Sequence, residues 1–304
     1  MGELRCARCD AVVSGRCVRG MERVWHPHHF TCEAGGETLD GAFVERDGRA
    51  YCQPHYLERF GVRCAIGGEI IRGAYLTNDW GDRYCEAHAR DAATCCSCQR
   101  PLSDRLTNGG IRYEDGRNIC GLCLKTAVRK ESDGREVVTI VRAALASQGL
   151  ELGDVVIPLR LVAPTELMNR ARRTDGHPEG VACLMKTGIP GGQEERRVQE
   201  ILILCGLSRE HFAAVAAHEL GHAYMFLKEF PELPEAIAEG LCELCSYLWL
   251  SGQRTPTAAW RLKLIWKNRD DIYGLGFRSA RMALHGRSLL ELLEFVRRHG
   301  CFPN

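Results

Sequence analysis

The sequence has few lysines, almost no net charge and no long apolar run. Only six of its 40 basic residues are lysine, and 39 acidic residues balance them to a net charge of +1. Basic and acidic residues that are so evenly balanced do not create the basic surface that attracts nucleic acids or anionic membranes. We therefore expect neither as a partner. Since no apolar run approaches the roughly 18 residues that a bilayer requires, no membrane-spanning helix is predicted.

A secretory leader is also not recognisable, since Met1 is followed by charged residues and by a cysteine at position 6. This start predicts a cytoplasmic protein, whose reducing surroundings keep thiols out of disulfides. The chain nevertheless has 17 cysteines, of which 12 precede residue 124. Clustered thiols in a reducing compartment typically hold metal. The first part of the chain therefore predicts zinc-binding modules.

Two groups of cysteines and histidines have the complete spacing of a four-ligand structural zinc site. They are Cys6, Cys9, His26 and His29, and Cys95, Cys98, Cys120 and Cys123. Pairs separated by two residues, joined by loops of 16 and 21 residues, are a strong indication of tetrahedral zinc. We expect both groups to bind zinc.

Two further groups supply only three ligands each and are treated as incomplete sets. They are Cys32, Cys52 and His55, and Cys64, Cys85 and His88. Gly35 and Gly67 stand where the fourth ligand is expected, and glycine has no side-chain donor. These sets are either free of metal or completed by Cys17, Cys96, an aspartate or water. The expected content is thus three zinc ions, two structural and one catalytic.

The catalytic zinc is predicted from His218-Glu219-Leu220-Gly221-His222, which interrupts the otherwise apolar segment 212–227. Residues four apart share one face of a helix, so both histidines can bind one metal with Glu219 beside them as general base. Ser208 is placed to cap this helix with its side chain. The pattern is typical of zinc peptidases.

A third ligand is expected from the segment that begins at Pro234. Glu235, Glu239 and Glu243 recur at four-residue intervals and so fall on one helix face. The pair Glu239-Gly240 resembles the third-ligand segment of the glutamate zincins, such as thermolysin. Glu239 is therefore the predicted ligand, Glu243 the residue that orients the first histidine, and Glu235 a solvated carboxylate.

The oxyanion that forms during peptide hydrolysis needs a hydrogen-bond donor. Tyr273, in a segment that the glycines at 274 and 276 are expected to interrupt, is the first choice, and His285 is the second. Four other histidines show no partner pattern and are expected to be solvated or capping groups. They are His28, His177, His211 and His299.

These marks predict an α+β chain of three domains. They are a LIM zinc-binding domain over 1–58, a divergent LIM-like zinc-binding domain over 62–126 and a zincin-type metallopeptidase domain over 130–304. Within the last, a linker is expected over 130–134, a helix over 135–148, and strands over 155–162, 181–186 and 199–205. Val181 to Leu184 is the predicted sheet edge along which a substrate would lie.

The order of these parts resembles the plant organ-size-regulating LIM metallopeptidases, the DA-one family. The resemblance covers nearly the whole chain. The segments that carry it are Cys95-Cys-Ser-Cys98, Ile201 to Leu204, Ala217 to Ala223, Glu239-Gly-Leu-Cys242, Tyr273 to Arg278 and Phe302-Pro303. It implies a zinc endopeptidase that cleaves selected regulatory proteins, with LIM modules for substrate recognition or autoinhibition.

The resemblance also implies ubiquitin, or a ubiquitin-like regulator, as a partner. Two features argue against this control: the plant proteins carry ubiquitin-interacting helices ahead of the LIM domain, whereas the first zinc ligand here is residue 6, and lysines are few. The excess of arginine suggests a short bacterial-type homologue. The alternative function, from a different class, is a LIM adaptor whose peptidase-like domain only binds.

Overall fold

The structure is a computed structural model that describes residues 3–170, 178–187 and 195–303. The chain forms two compact units, Met1–Asp91 and Ala92–Asn304. The predicted domain boundaries at 58, 62, 126 and 130 stay predictions. No helix among the described residues is both long enough and apolar enough to cross a membrane.

The first unit consists of short hairpins and helices that follow the cysteine pairs. Its hairpins are β1 (Val18–Gly20) with β2 (Arg23–Trp25), β3 (Val44–Arg46) with β4 (Arg49–Tyr51), and β5 (Leu76–Thr77) with β6 (Arg83–Tyr84). Its helices are a 3-10 turn (Pro27–His29), α1 (Gln53–Phe60) and α2 (Glu86–Asp91). Among its described residues a small core contains the buried side chains of Phe30, Leu39 and Tyr51. So small a core contributes little stability, which is why such modules depend on metal.

The second unit opens with the segment that carries the four-cysteine group. It contains α3 (Asp104–Thr107), the antiparallel pair β7 (Gly110–Arg112) and β8 (Asn118–Cys120), and α4 (Gly121–Leu124). This segment packs directly against residues 205–206 of the same unit. Tyr113 donates its hydroxyl hydrogen to the carbonyl of Gly206 at 3.0 Å, and Arg117 donates to the carbonyl of Cys205 at 2.9 Å.

A three-stranded sheet lies at the centre of the second unit. Its strands are β9 (Leu159–Val162), β10 (Gly180–Thr187) and β11 (Glu195–Leu204), in the order β10-β11-β9. Strand β10 runs antiparallel to β11, and β9 runs parallel to it. All three strands overlap their predicted ranges, with two differences. β9 begins only after Pro158, which has no N–H to donate, and β11 begins already at Glu195 rather than at residue 199. Among the described strands β10 is at a sheet edge, as predicted for Val181 to Leu184.

Seven helices surround this sheet in the described part of the second unit. They are α5 (Glu131–Ala146), α6 (Pro164–Arg170), α7 (Arg209–Leu227), α8 (Glu235–Ser251), α9 (Pro256–Lys267), α10 (Tyr273–Ala283) and α11 (Leu289–His299). Helix α7 is buried on nearly all sides, and its alanines allow β10, β11 and α8 to approach closely. Helices and small sheets are thus mixed, while the zincin type of the domain stays a prediction.

The predicted linker over 130–134 is wrong, because Lys130 is the N-cap residue of α5 and residues 131–134 form its first turn. Glu131 and Asp133 suit a helix start, where negative charge offsets the exposed N–H groups. Gly134 is buried, and a Cβ there would lie 2.9 Å from Leu159 Cδ2 and 3.2 Å from Phe212 Cζ. The glycine therefore allows α5 to pack against the sheet and α7 rather than marking a flexible connection.

Candidate metal centre and catalytic cleft

Helix α7 places its two histidines side by side at the cleft. The Nε2 atoms of His218 and His222 are 3.3 Å apart, since residues four apart share one helix face. Ser208 is the N-cap residue as predicted, but its side chain makes no capping bond and its buried oxygen lacks a partner. The predicted side-chain cap is therefore wrong.

Glu239, on α8, completes a triangle with the two histidines. Its Oε2 is 3.0 Å from His218 Nε2 and 3.5 Å from His222 Nε2. In tetrahedral zinc sites with bonds of about 2.0–2.2 Å, ligand atoms lie about 3.3–3.5 Å from one another. Two of the three separations match this spacing, and the third, between Glu239 and His218, is shorter by about 0.3 Å. These residues could therefore hold zinc and leave the fourth position open.

Cys242 is a rival for the third ligand position, because its Sγ lies within 4.8 Å of the ligand atoms of His218 and His222. The thiol is fully buried, and burial raises its pKa well above the ordinary value. It also packs against α7, where a Cβ on Gly221 would lie 3.0 Å from the sulfur. Glu239, whose pKa stays below its ordinary value despite burial because both histidines contact it, is the better ligand.

Glu243 lies one turn beyond Glu239, and its Oε1 is 3.4 Å from His218 Nδ1. A carboxylate that accepts the Nδ1–H fixes the tautomer that leaves the Nε2 lone pair for a metal. The structure therefore places Glu243 where its predicted orienting role requires. Glu235 is exposed at the cleft rim.

Glu219 is buried beside the two histidines and faces the edge strand. Burial raises its pKa above the ordinary value, although the two histidines and a hydrogen bond from the backbone of Ala182 oppose the rise. Gly180 leaves room for the carboxylate, since a Cβ there would be 2.7 Å from Glu219 Oε1. A buried carboxylate with a raised pKa is better suited to accept a proton and later release it than a solvated one.

These groups line a cleft of about 930 Å³ between α7, α8 and β10. Residues 180–184 of the edge strand form one wall, and Glu239 and Glu243 lie opposite in the lining. An edge strand beside a candidate metal site offers backbone groups with which an extended peptide can pair. The cleft thus brings together a candidate metal-ligand set, a buried carboxylate and the edge of a sheet.

Tyr273 lines this cleft, with its ring centroid 6.2 Å from that of His218. The expectation that glycines interrupt its segment is wrong, because residues 273–283 form α10. The glycines instead permit a close helix crossing, where a Cβ on Gly276 would overlap the carbonyl oxygen of Ala236 on α8. His285, the second-choice donor, is exposed in the turn after α10 and does not line the cleft.

The start of α7 contains a buried hydrogen-bonded chain that no sequence pattern indicated. His211, expected to be solvated or capping, is buried, and its Nε2 is 2.6 Å from Glu179 Oε2. Its Nδ1 lies 3.4 Å from Ser97 Oγ, which accepts the Ser208 N–H at 2.9 Å. This chain joins the four-cysteine segment to α7 and to a residue that lines the cleft. His177 lies outside the described residues.

The two complete structural sets are assembled. Cys6 Sγ is 3.4 Å from His29 Nδ1, and Cys9 Sγ is 3.5 Å from His26 Nδ1. In the other set the sulfurs of Cys98 and Cys120 are 3.7 Å apart. Tetrahedral zinc requires about 3.5 Å between sulfur and nitrogen and about 3.8 Å between two sulfurs. Both sets fit zinc, and the four cysteines of the second set are buried.

The two incomplete sets are assembled as well, each with a glutamate that the sequence analysis missed. Glu37 joins Cys32, Cys52 and His55, and Glu69 joins Cys64, Cys85 and His88. A signal was present in the sequence, because both glutamates end the same motif, Cys-x2-Gly-Gly-Glu.

Comparison with known proteins divides the chain into two recognised regions. Residues 6–60 match the LIM domain model, and residues 168–264 match a family model described as DA1-like, Protein DA1. The second match contains His218, Glu219, His222 and Glu239.

Two plant proteins resemble nearly the whole chain, and a third relative resembles part of it. Protein DA1 of Arabidopsis thaliana is 26% identical across 98% of this chain and 68% of its own length. LIM domain-containing protein HDR3 of Oryza sativa subsp. japonica is 27% identical across 98% and 74%. Paxillin-B of Dictyostelium discoideum is 28% identical across 40% and 26%. These relatives lend no support to a bacterial-type homologue. The chain therefore contains a LIM domain and a DA1-like region, and resembles plant DA1 proteins over almost all of its length.

Proposed function

We propose that the chain is a zinc-dependent endopeptidase that cleaves selected intracellular proteins, with its N-terminal zinc modules serving substrate recognition or autoinhibition. One observation carries the proposal. A single cleft holds three ligand atoms at tetrahedral spacing, a buried glutamate beside them and the edge of a sheet. The resemblance to plant DA1 proteins, which extends through this cleft, supports it.

Substrate binding in this proposal uses β10. Its outer edge has no strand partner among the described strands, so an extended peptide can add to the sheet through backbone hydrogen bonds. Ala182, on this strand, also donates to Glu219. The same strand would then align the peptide and fix the proton acceptor near the scissile bond.

Zinc bound by His218, His222 and Glu239 would polarise the scissile carbonyl and the attacking water. Glu219 accepts the proton of that water and passes it to the leaving amine. Its raised pKa suits both steps, because the carboxyl must gain and lose a proton in each turnover. Tyr273 is the candidate donor to the developing oxyanion, and Glu243 holds the ring of His218.

Replacing Glu219 by glutamine tests the proposal. The amide nearly preserves shape but cannot accept the proton, so casein cleavage should fall by about a hundredfold or more. Zinc content and unfolding temperature should stay unchanged. Glu232→Gln, at an exposed residue outside the cleft lining, is the matched control and should cleave like the wild type.

The alternative, a LIM adaptor with a silent peptidase-like domain, makes the opposite prediction. In that case wild type and Glu219→Gln would show the same cleavage at equal zinc content. That result would reject the peptidase proposal.

A further inference from the structure

The two sets that lack a cysteine share one sequence motif. Residues 32–37 read Cys-Glu-Ala-Gly-Gly-Glu, and residues 64–69 read Cys-Ala-Ile-Gly-Gly-Glu. In both, glycine replaces the cysteine expected three residues after the first, and glutamate follows two residues later. The repetition of this exchange indicates a shared structural reason.

Four turns in the chain have one backbone geometry. They begin at Cys6, Cys32, Cys64 and Cys95. In each, the fourth residue after the cysteine has a positive φ and donates its N–H to the cysteine carbonyl at 2.8–2.9 Å. The carbonyl of the fifth residue accepts the cysteine N–H at 2.8–2.9 Å. In two turns the third residue after the cysteine is a second cysteine, and the fifth residue after it is Ala11 or Arg100. In the other two turns the third residue after the cysteine is glycine, and the fifth is glutamate.

The glutamate side chain fills the space that the missing cysteine would use. A Cβ added to Gly35 would overlap Glu37 Oε2, and a Cβ added to Gly67 would overlap Glu69 Oε2. Both built Cβ atoms would also overlap the ring of the histidine in the set, His55 or His88. The carboxylate thus replaces the absent side chain in position as well as in sequence.

The first set has four donor atoms at ligand spacing. His55 Nδ1 is 3.5 Å from Cys32 Sγ, 3.3 Å from Cys52 Sγ and 2.9 Å from Glu37 Oε1. Tetrahedral zinc with mixed sulfur, nitrogen and oxygen ligands requires about 3.3–3.6 Å between them. The two distances to sulfur match this range, and the carboxylate oxygen lies a few tenths of an ångström closer to the ring than a zinc ion would hold it.

The second set repeats this arrangement. His88 Nδ1 is 3.3 Å from Cys64 Sγ, 3.2 Å from Cys85 Sγ and 3.1 Å from Glu69 Oε1. Glu69 Oε1 is also 3.4 Å from Cys85 Sγ. The ligand atoms of each set lie within 4.8 Å of one another.

We propose that Glu37 and Glu69 are the fourth ligands of two additional structural zinc sites, each formed by two cysteines, one histidine and one glutamate. Two thiolates and one carboxylate around a divalent ion leave a net charge of −1, the same as three thiolates. The exchange of cysteine for glutamate therefore preserves the charge of the site. Two thiolates and an imidazole also favour zinc over the harder magnesium and calcium ions.

Counting zinc ions on the full chain by native mass spectrometry, after a mild chelator wash, tests the proposal. The wild type should hold five, of which His222→Ala removes one. Glu37→Gln and Glu69→Gln should each remove one more, and the double variant two. Glu33→Gln is the matched control, because Glu33 lies in the same turn but pairs with Arg49, so its count should equal the wild type.

The wild-type count keeps the test decisive if Glu37→Gln fails to fold, because the two complete sets and the site at His218 account for only three of the five expected zinc ions. A wild-type count of three would overturn the proposal, as would an unchanged count in the double variant. The differences between variants do not depend on the site at His218, so failure of the proposed peptidase function would be seen separately.

Discussion

Replacing Ser97 by alanine should destabilise the unit Ala92–Asn304 by about 2 kcal/mol. Ser97 is 1% exposed, and its oxygen accepts the N–H of Ser208 at 2.9 Å. Burial lowers the pKa of His211, which favours the neutral form of its ring. With Nε2–H donated to Glu179, Nδ1 is left to accept the Ser97 hydroxyl hydrogen. One side chain thus satisfies two buried groups.

The magnitude is set by the groups that the substitution leaves without a partner. Alanine strands the Ser208 N–H completely, and a buried donor without a partner costs about 1–3 kcal/mol. The contact to His211 Nδ1, at 3.4 Å, is long and adds less. Removing one oxygen atom does not make room for a replacement water. The loss should appear at the start of α7, the helix that carries His218.

The assay is urea unfolding of zinc-loaded protein, followed by tryptophan fluorescence, with hydrogen exchange at α7 as a second measure. Ser132→Ala is the control, because that hydroxyl donates to Asp133 on the exposed surface. It should change stability by no more than about 0.5 kcal/mol. If Ser97→Ala is no more destabilising than this control, the buried chain is not a stabilising link and the reasoning fails.

Two further substitutions test the cleft and its support. Glu239→Ala should abolish zinc binding at the candidate catalytic site, whereas Cys242→Ala should retain it; elemental analysis that finds the reverse would make the thiol the third ligand. Gly276→Ala should lower the unfolding free energy by about 1–3 kcal/mol, since its Cβ would overlap the carbonyl oxygen of Ala236 and force α10 from α8. Gly252→Ala, whose Cβ would have only an ordinary contact at 3.4 Å, should be nearly neutral in the same urea titration.

The candidate site could be predicted from the sequence because its geometry is local. His218 and His222 depend only on helical periodicity, and Glu239 and Glu243 repeat the same spacing on α8. The pairing of the two helices was not predictable in detail, but both carry apolar residues that must be buried together. The four-residue spacing within α7 and within α8, together with burial of the apolar faces between these helices, was sufficient to bring the four side chains into one cleft.

The glycines of the second unit were predicted less well because their roles depend on tertiary contacts. Gly134 and Gly276 indicate a linker and a broken segment when only propensity is considered. In the structure both lie in helices, at points where another element approaches too closely for a Cβ. Helix propensity describes the free-energy cost of glycine in an isolated helix. The stabilisation gained from close packing where two elements cross can be larger than that cost.

His211 and Ser97 were missed for the same reason, since 114 residues separate them and no local pattern connects them. A histidine on a largely apolar helix has no sequence signal for its partner. Only the packing of the four-cysteine segment against α7 brings the hydroxyl to it. A side chain's polar partner over such a separation is a property of the fold, not of the motif.

Glu37 and Glu69 are a different case, because the sequence contained the signal and the ligand-spacing rule concealed it. A search for Cys-x2-Cys pairs assumes that the second ligand of a turn always lies three residues after the first cysteine. The positive φ of Gly36 and Gly68 reverses the chain direction, so the fifth residue returns to the same point, and its longer side chain spans the remaining gap. A turn of this kind therefore has two positions from which a ligand can be supplied. When the third residue after the first cysteine is glycine, the fifth residue should be checked for a ligand before the zinc set is judged incomplete.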